Sequence, residues 1–314
     1  MSVGNERDQL WSIVLAGGEG ERLRPFVERW LGRHKPKQYC TFIGTRSMFQ
    51  HTLDRADQIT SPRLKVTVIG HTHLWDARAQ LPRGRGGKLI VQPSNRDTAA
   101  GIFLPLSYVR AQDPQATVVL YPSDHFAYPE HRFAEGVRCA TQAAKELKDY
   151  LLLLGVNPDR LEPEYGWIHP GAHLGSIGGN VIRATKAFLE KPDIEGCRTA
   201  MTSGALWNTL VVAARIETLW EVGWQCFPEM MPLFERYERA IGTSQEEKVL
   251  KSIYEVMPVR NFSSHLLERH PQRIAVMELK GVLWSDWGKP ERILESLHRI
   301  GKRPSFPEAH AAAV

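Results

Sequence analysis

The chain has 314 residues, 42% hydrophobic and 24% charged, with a formal net charge of +5; that balance suits a soluble globular enzyme with one large domain. No apolar stretch is long and uncharged enough to span a bilayer, and residues 1–9 lack the apolar centre of a secretory signal, so a cytoplasmic protein with no membrane partner is expected. The basic residues are dispersed, without an aromatic-interleaved stripe, which points away from nucleic acid and toward phosphorylated small substrates.

In chain order, residues 13–16 read as a strand, 48–58 as a helix, 66–70 and 88–91 as strands, 98–110 as a helix, 117–121 as a strand and 130–147 as a helix. Residues 83–87 read as a solvated loop. The alternation implies βα units and an α/β fold with a mostly parallel sheet, whose ligands sit at the carboxyl ends of the strands. The loops after Leu15, Val91 and Tyr121 fall there. The second half is mixed. Residues 150–156, 178–188, 206–213 and 274–279 read as strands, with helices from Ile216 and over 227–241, 245–256 and 290–299. From Lys302 onward, two prolines and an alanine tail read as frayed. There is no internal repeat and no hexapeptide period, so no C-terminal β-helix is expected. Cys40, Cys139, Cys197 and Cys226 lack Cys-x-x-Cys spacing and read as reduced thiols.

The run Leu15-Ala16-Gly17-Gly18-Glu19-Gly20-Glu21-Arg22-Leu23-Arg24-Pro25 follows the first strand. Its glycines let the backbone turn and present N–H groups, a concavity that binds phosphates. Arg22 adds a permanent cation whose fork suits phosphate oxygens. Leu23 stands where a dinucleotide fingerprint needs its third glycine, and no Gly-Lys-Ser/Thr follows as in a P-loop. Asp124, just past the strand at 117–121, is placed either to cap a turn or to hold a metal, and Asp286 in Trp284-Ser285-Asp286 is a second candidate. Two carboxylates plus substrate phosphates make an ordinary Mg²⁺ site. His125 reads as a supporting histidine, not a ligand.

Gly-Gly-x-Gly-x-Arg-Leu-x-Pro with Lys35-Pro36-Lys37-Gln38 downstream resembles the signature of the sugar-phosphate nucleotidylyltransferases. Gln92-Pro93-Ser94-Asn95-Arg96-Asp97-Thr98-Ala99 resembles that family's base-reading loop. Pro122-Ser123-Asp124-His125 is similar to the form in mannose-1-phosphate guanylyltransferases. Tyr165-Gly166-Trp167-Ile168, Glu190-Lys191-Pro192 and Trp207-Asn208 look like its sugar-side elements, and Trp284-Ser285-Asp286 like its late metal-binding segment, all in the family's order.

The resemblance implies a Rossmann-like nucleotidyltransferase fold. A catalytic domain would cover residues 1–301, with a nucleotide half at about 10–150 and a sugar-phosphate half at about 151–301, followed by a tail at 302–314. It implies Mg²⁺-dependent transfer of a nucleotidyl group from a nucleoside triphosphate to a sugar 1-phosphate, most simply GTP and mannose 1-phosphate giving GDP-mannose. Arg22, Lys37, Asp124 and Asp286 would be catalytic, with Asp124 and Asp286 on the metal. Ala16, Gly17, Gly18, Gly20, Gln92, Arg96 and Ser123 would bind the nucleotide; Gly166, Glu190, Lys191 and Asn208 would bind the sugar phosphate. A homodimer stays open.

Some positions depart from the family pattern. Glu21 replaces a common threonine. Residues 25–37 form a longer segment, either a basic lid over the phosphates or an ordinary insertion. Gln92 replaces the glutamate frequent in guanylyltransferases and suits a pyrimidine as well. Ser263 stands where an aspartate is usual, and Asn208 lacks the following Ser-Gly. The same reaction with another base or sugar, or a weakly catalytic sugar-nucleotide-binding homologue, are the alternatives; a nicotinamide-dependent oxidoreductase is a distant third.

Overall fold

The computed structural model describes residues 9–81 and 87–311. Most of the expected loop at 83–87 therefore lies outside the described residues. The chain runs β1 (Leu10–Ala16), α1 (Arg24–Leu31), α2 (Met48–Asp57), β2 (Lys65–Gly70), α3 (Leu74–Gln80), β3 (Lys88–Gln92), α4 (Asp97–Gln112), β4 (Thr117–Pro122), β5 (Phe126–Tyr128) and α5 (Glu130–Glu146). It continues through β6 (Leu151–Val156), β7 (Gly166–Ile177), β8 (Asn180–Glu190), α6 (Ile194–Thr202), β9 (Leu206–Arg215), α7 (Ile216–Cys226), α8 (Met231–Ala240), α9 (Glu246–Val256), β10 (Ile274–Glu278), β11 (Leu283–Ser285) and α10 (Pro290–Arg299).

Nine strands form one sheet in the order β3-β2-β1-β4-β9-β6-β10-β8-β7, and β11 pairs with β5 in a separate ribbon. Only β9 and β8 run against the rest, so the sheet is mixed and mostly parallel, as expected. Successive residues feed opposite faces. Ile13, Val118, Leu120, Leu151 and Leu153 enter one core, and Val14, Val119, Tyr121, Leu152 and Leu154 enter the other. A sheet covered on both faces needs such unbroken apolar strands. From β1 the chain moves outward to β2 and β3, then returns to β4 on β1's other side. Loops after β1 and β4 diverge at this switch point and open a crevice.

Three differences from the sequence reading matter for the site. Residues 25–37 are mostly helix: Pro25 starts α1, Gly32 at φ 70 ends it, and Phe26 and Val27 are buried. The basic residues there do not form a lid. Arg29 donates to the His310 carbonyl, and Arg33 and Lys35 face Asp76 at 3.7 and 3.8 Å. The expected frayed tail is docked as far as it is described. Phe306 is buried edge-on against Phe26 with ring centres 5.0 Å apart, and the Ser305 amide donates to the Phe42 carbonyl. Finally, β7 makes a long hairpin with β8 despite Pro170, Gly171 and Gly175; its register shifts repeatedly to accommodate them.

Candidate active site

The β1, β3 and β4 carboxyl ends enclose a cleft of about 340 Å³, lined by Gly17, Gly18, Gln92, Asn95, Ser123 and Asp124 among others. Beneath the glycine turn, Gln38 donates to the carbonyls of Ala16 (3.2 Å) and Gly18 (2.7 Å), and the Tyr39 hydroxyl donates to Ala16 at 3.0 Å. The segment 36–39 therefore holds the turn by its carbonyls. Gly20, at φ 68, could not be replaced: a Cβ there would lie 2.8 Å from the Lys37 nitrogen. A Cβ at Gly17 would lie 2.5 Å from Gln92 Nε2, so a side chain there would displace the Gln92 amide. At the β4 end, both the amide and the hydroxyl of Ser123 donate to the Leu15 carbonyl, at 3.0 and 2.7 Å, which ties the two loops together.

Lys37 is the hub. Its side chain is 5% exposed; Nζ meets Asp124 Oδ2 at 2.8 Å and donates to the Asp286 carbonyl. Residues far apart in sequence thus share one ammonium. Burial alone would raise the Asp124 carboxyl, but Lys37 and then His125 hold it below the ordinary range. Asp286 follows the same logic more strongly: burial opposes ionisation, and Lys37, Arg292 and Arg22 overcome it. Its Oδ1 accepts from Tyr165 (2.8 Å), Gly288 N (2.9 Å) and Arg292 (2.9 Å), and its Oδ2 accepts from Arg22 at 2.8 Å. Arg22 also donates to Glu164 at 3.0 Å. All four expected catalytic side chains belong to one connected ion network.

Among the described residues, no group of three or more His, Cys, Asp or Glu side chains is arranged to hold a metal. The available donor set is the pair Asp124 and Asp286. Asp124 has lone pairs to spare. Asp286 can turn Oδ2 to a cation only when Arg22, whose side chain is half-exposed and also paired with Glu164, moves away. Two carboxylates completed by substrate phosphates fit Mg²⁺, which keeps few protein ligands.

On the base side, Gln92 is buried, and Oε1 accepts from the buried Tyr254 hydroxyl at 3.2 Å. Arg96, expected at the nucleotide, donates to the Tyr254 carbonyl at 2.8 Å and is not among the cleft-lining residues, so it ties the β3–α4 loop to the end of α9. Asp97, at φ 64, takes the Thr98 amide and the Asn261 side chain on Oδ1. The segment at 261–264, including Ser263, therefore docks on the start of α4, with the Phe262 amide on the Thr98 hydroxyl at 2.8 Å.

On the sugar side, Gly166 pairs with Glu190 across β7 and β8, and a Cβ at Gly166 would lie 3.1 Å from the Glu190 carboxylate. Burial raises the Glu190 carboxyl above its ordinary value despite Lys191, with Glu268 and Asp97 adding to the rise. Lys191 sits at φ 50 with a 60% exposed side chain, 3.3 Å from Glu190. Asn208 is buried and accepts the Leu210 amide at 3.0 Å, which stabilises a break in β9 where Leu210 adopts φ 55. That break turns the Thr209 carbonyl toward His125 Nδ1, at 3.1 Å. Through His125 the sugar side meets the Asp124 loop.

Comparison with known proteins gives the family. The family model described as Nucleotidyl transferase matches residues 11–303. The chain belongs to the nucleotidyl transferase family. The xanthan biosynthesis protein XanB of Xanthomonas campestris pv. campestris (strain B100) is 29% identical over 200 residues, covering 63% of this chain and 40% of XanB. The mannose-1-phosphate guanylyltransferase RfbM of Salmonella typhimurium is 26% identical over 285 residues, covering 88% of this chain and 56% of RfbM. The chain thus spans about half the length of the curated relatives it matches. A crystal structure titled mannose-1-phosphate geranyltransferase, from Thermus thermophilus, shares the fold at TM-score 0.76 and 24% identity, covering 91% of this chain and 79% of that one. Among the described residues, no helix is long and apolar enough to cross a membrane.

For this family member, the sequence reading missed the residues that support the ion network. Tyr165 stands in a motif that gives it no role of its own, and Arg292 and Glu164 lie outside every motif. Arg292 is buried on α10 and meets Asp286 and Glu164. Its position in an amphipathic helix, six residues after Asp286, is the one available clue. The Glu21 departure is benign in placement: its 62% exposed side chain faces Arg24 at 3.5 Å, away from Lys37.

Proposed function

We propose that the protein transfers a nucleotidyl group from a nucleoside triphosphate to a sugar 1-phosphate, with GTP and mannose 1-phosphate as the leading pair and GDP-mannose and pyrophosphate as products. The observation that carries this reading is the single buried lysine joining Asp124 and Asp286 beneath a glycine turn at the sheet's switch point. An oxygen of the sugar phosphate attacks the α-phosphorus; the bond from that phosphorus to the bridging oxygen breaks, and pyrophosphate departs with the electron pair. Such chemistry is mostly positioning and charge stabilisation, so no nucleophilic Ser or Cys is required.

The residues have distinct jobs in this reading. The amides of the glycine turn and Arg22 hold the triphosphate, with Arg22 leaving Asp286 to reach it. Lys37 supplies a fixed cation next to the reacting phosphate. Lys191 offsets the charge of the incoming sugar phosphate, and Glu190 and Asn208 take sugar hydroxyls. Asp124 and Asp286 would hold Mg²⁺, which when bound neutralises phosphate charge. The guanine assignment leans on the names of the guanylyltransferase relatives and on the Pro122-Ser123-Asp124-His125 form. Gln92 leaves room for a second reading with a pyrimidine: the Tyr254 hydroxyl already occupies one lone pair of its single acceptor oxygen, so it meets the N1–H and 2-amino donors of guanine less well than a carboxylate would, while Nε2 can donate to a base carbonyl.

A panel of nucleoside triphosphates against sugar 1-phosphates with Mg²⁺, read by pyrophosphate release, tests the proposal. Release with GTP and mannose 1-phosphate above all other pairs supports it. Release with a thymidine or uridine triphosphate instead supports the second reading, and no release with any pair refutes both.

A further inference from the structure

Arg55 on α2 is a buried guanidinium, 6% exposed, that lies outside the ion network around Lys37. Its Nε and Nη2 donate to the two carboxylate oxygens of Glu130, the first residue of α5, at 2.8 and 3.0 Å. The same group also donates to two backbone carbonyls: Nη1 to His125 at 3.0 Å and Nη2 to Ala127 at 3.4 Å. The His125 carbonyl follows Asp124 directly and the Ala127 carbonyl lies two residues further on, inside β5. On the other side of Asp124, Ser123 is pinned to the Leu15 carbonyl by its amide and its hydroxyl. Asp124 therefore sits between two clamps, one from β1 and one from α2.

A pair with Glu130 alone would not explain this arrangement. The Glu130 side chain is 39% exposed, and an ion pair to such a group contributes little to stability. Burying a guanidinium is costly unless its donors are all used. The planar fork of arginine can hold a carboxylate with one edge and still reach carbonyls with the other; lysine, a point charge, cannot. We propose that Arg55 is a positioning residue for the proposed nucleotidyl transfer: by gripping the carbonyls of His125 and Ala127, it sets the place of the Asp124 carboxylate against Lys37 and the cleft. The inference rests on the reading of Asp124 as the acid that faces the ligand.

Three variants separate the carbonyl grip from the ion pair: Arg55→Lys, Glu130→Gln and the double variant Arg55→Ala/Glu130→Ala, which leaves no unpaired acid should Arg55→Lys fold poorly. Arg55→Lys and the double variant should lose about tenfold to a hundredfold in kcat, the scale of a displaced catalytic group, with KM for both substrates within about threefold. Glu130→Gln, which keeps both carbonyl bonds, should stay within about threefold of wild-type kcat. Crystal structures should show the Lys37–Asp124 contact lengthened beyond hydrogen-bond distance in Arg55→Lys and the double variant, and kept in Glu130→Gln. The proposal is overturned by an unmoved Asp124 in both Arg55 variants, or by Glu130→Gln losing as much kcat as Arg55→Lys. Should the wild type release no pyrophosphate with any substrate pair, the reaction reading fails, while the crystallographic contact still decides the positioning role.

Discussion

Asp124 and Asp286 flank the same ammonium in opposite surroundings. The Asp124 side chain is 38% exposed; Lys37 lies 2.8 Å from one oxygen and His125 3.5 Å from the other. The Asp286 side chain is 7% exposed and satisfied by Tyr165, Gly288, Arg292 and Arg22. A carboxylate with several buried donors stays fixed in place: Tyr165, Gly288 and Arg292 hold Oδ1 of Asp286 whether or not Arg22 stays on Oδ2. A carboxylate with one close cation keeps lone pairs for a ligand. The contrast makes Asp286 the fixed acid of the pair and Asp124 the more open one.

The largest effect should come from Asp286→Ala, which removes the buried acceptor shared by Tyr165, Arg22 and Arg292 and leaves Arg292 only Glu162 and Glu164. Breaking such a pair costs about 3–5 kcal/mol, so urea denaturation should show that loss along with nearly abolished turnover. Asp124→Ala takes the carboxylate from the buried Lys37 but leaves it the Asp286 carbonyl and the nearby Asp286 charge, so the stability loss should be smaller, about 1–3 kcal/mol; equal destabilisation by the two substitutions would erase the distinction drawn above. Next in size, Lys37→Ala and Asp124→Asn should each reduce turnover by ~10²–10³, with Asp124→Asn retaining the wild-type far-UV circular dichroism. Wild-type rates in Asp124→Asn would remove it from the chemistry.

A smaller effect concerns the sugar side. The Glu190 carboxyl is raised above its ordinary value of 4.5 by burial. It is ionised only above its shifted value, so KM for the sugar 1-phosphate should rise as the pH falls toward that value from neutrality. In Glu190→Gln, KM should be elevated throughout and lose this pH dependence; an unchanged acid limb would take Glu190 out of sugar binding. The smallest change should be Glu21→Thr. Its exposed partner is Arg24, so turnover should stay within about twofold and stability within about 0.5 kcal/mol, as read by steady-state rates and thermal melts.

The first half of the chain is more legible than the second for a structural reason. Its strands are buried on both faces and separated by amphipathic helices, so each apolar run between turn signals marks one element. In the second half, β7 holds Gly166, Pro170, Gly171 and Gly175, and only pairing with β8 and β9 makes it a strand. α1, eight residues long, escapes the sequence reading although Phe26, Val27, Trp30 and Leu31 recur at helical spacing; Phe26 and Val27 become a buried face when Phe42 and Phe306 arrive from distant segments.

By itself, the sequence determined the glycine turn, the segment at 35–38, both acidic loops and their order, because these depend on residue type and local backbone freedom. Tertiary structure alone decided that Lys37 reaches both acidic loops, that Arg96 turns to α9 instead of the cleft, and that Arg55 and Arg292 brace the acids from separate helices. Those choices depend on distances between elements far apart in the chain. No periodicity or local motif encodes such distances; they follow from how the sheet and its helices pack.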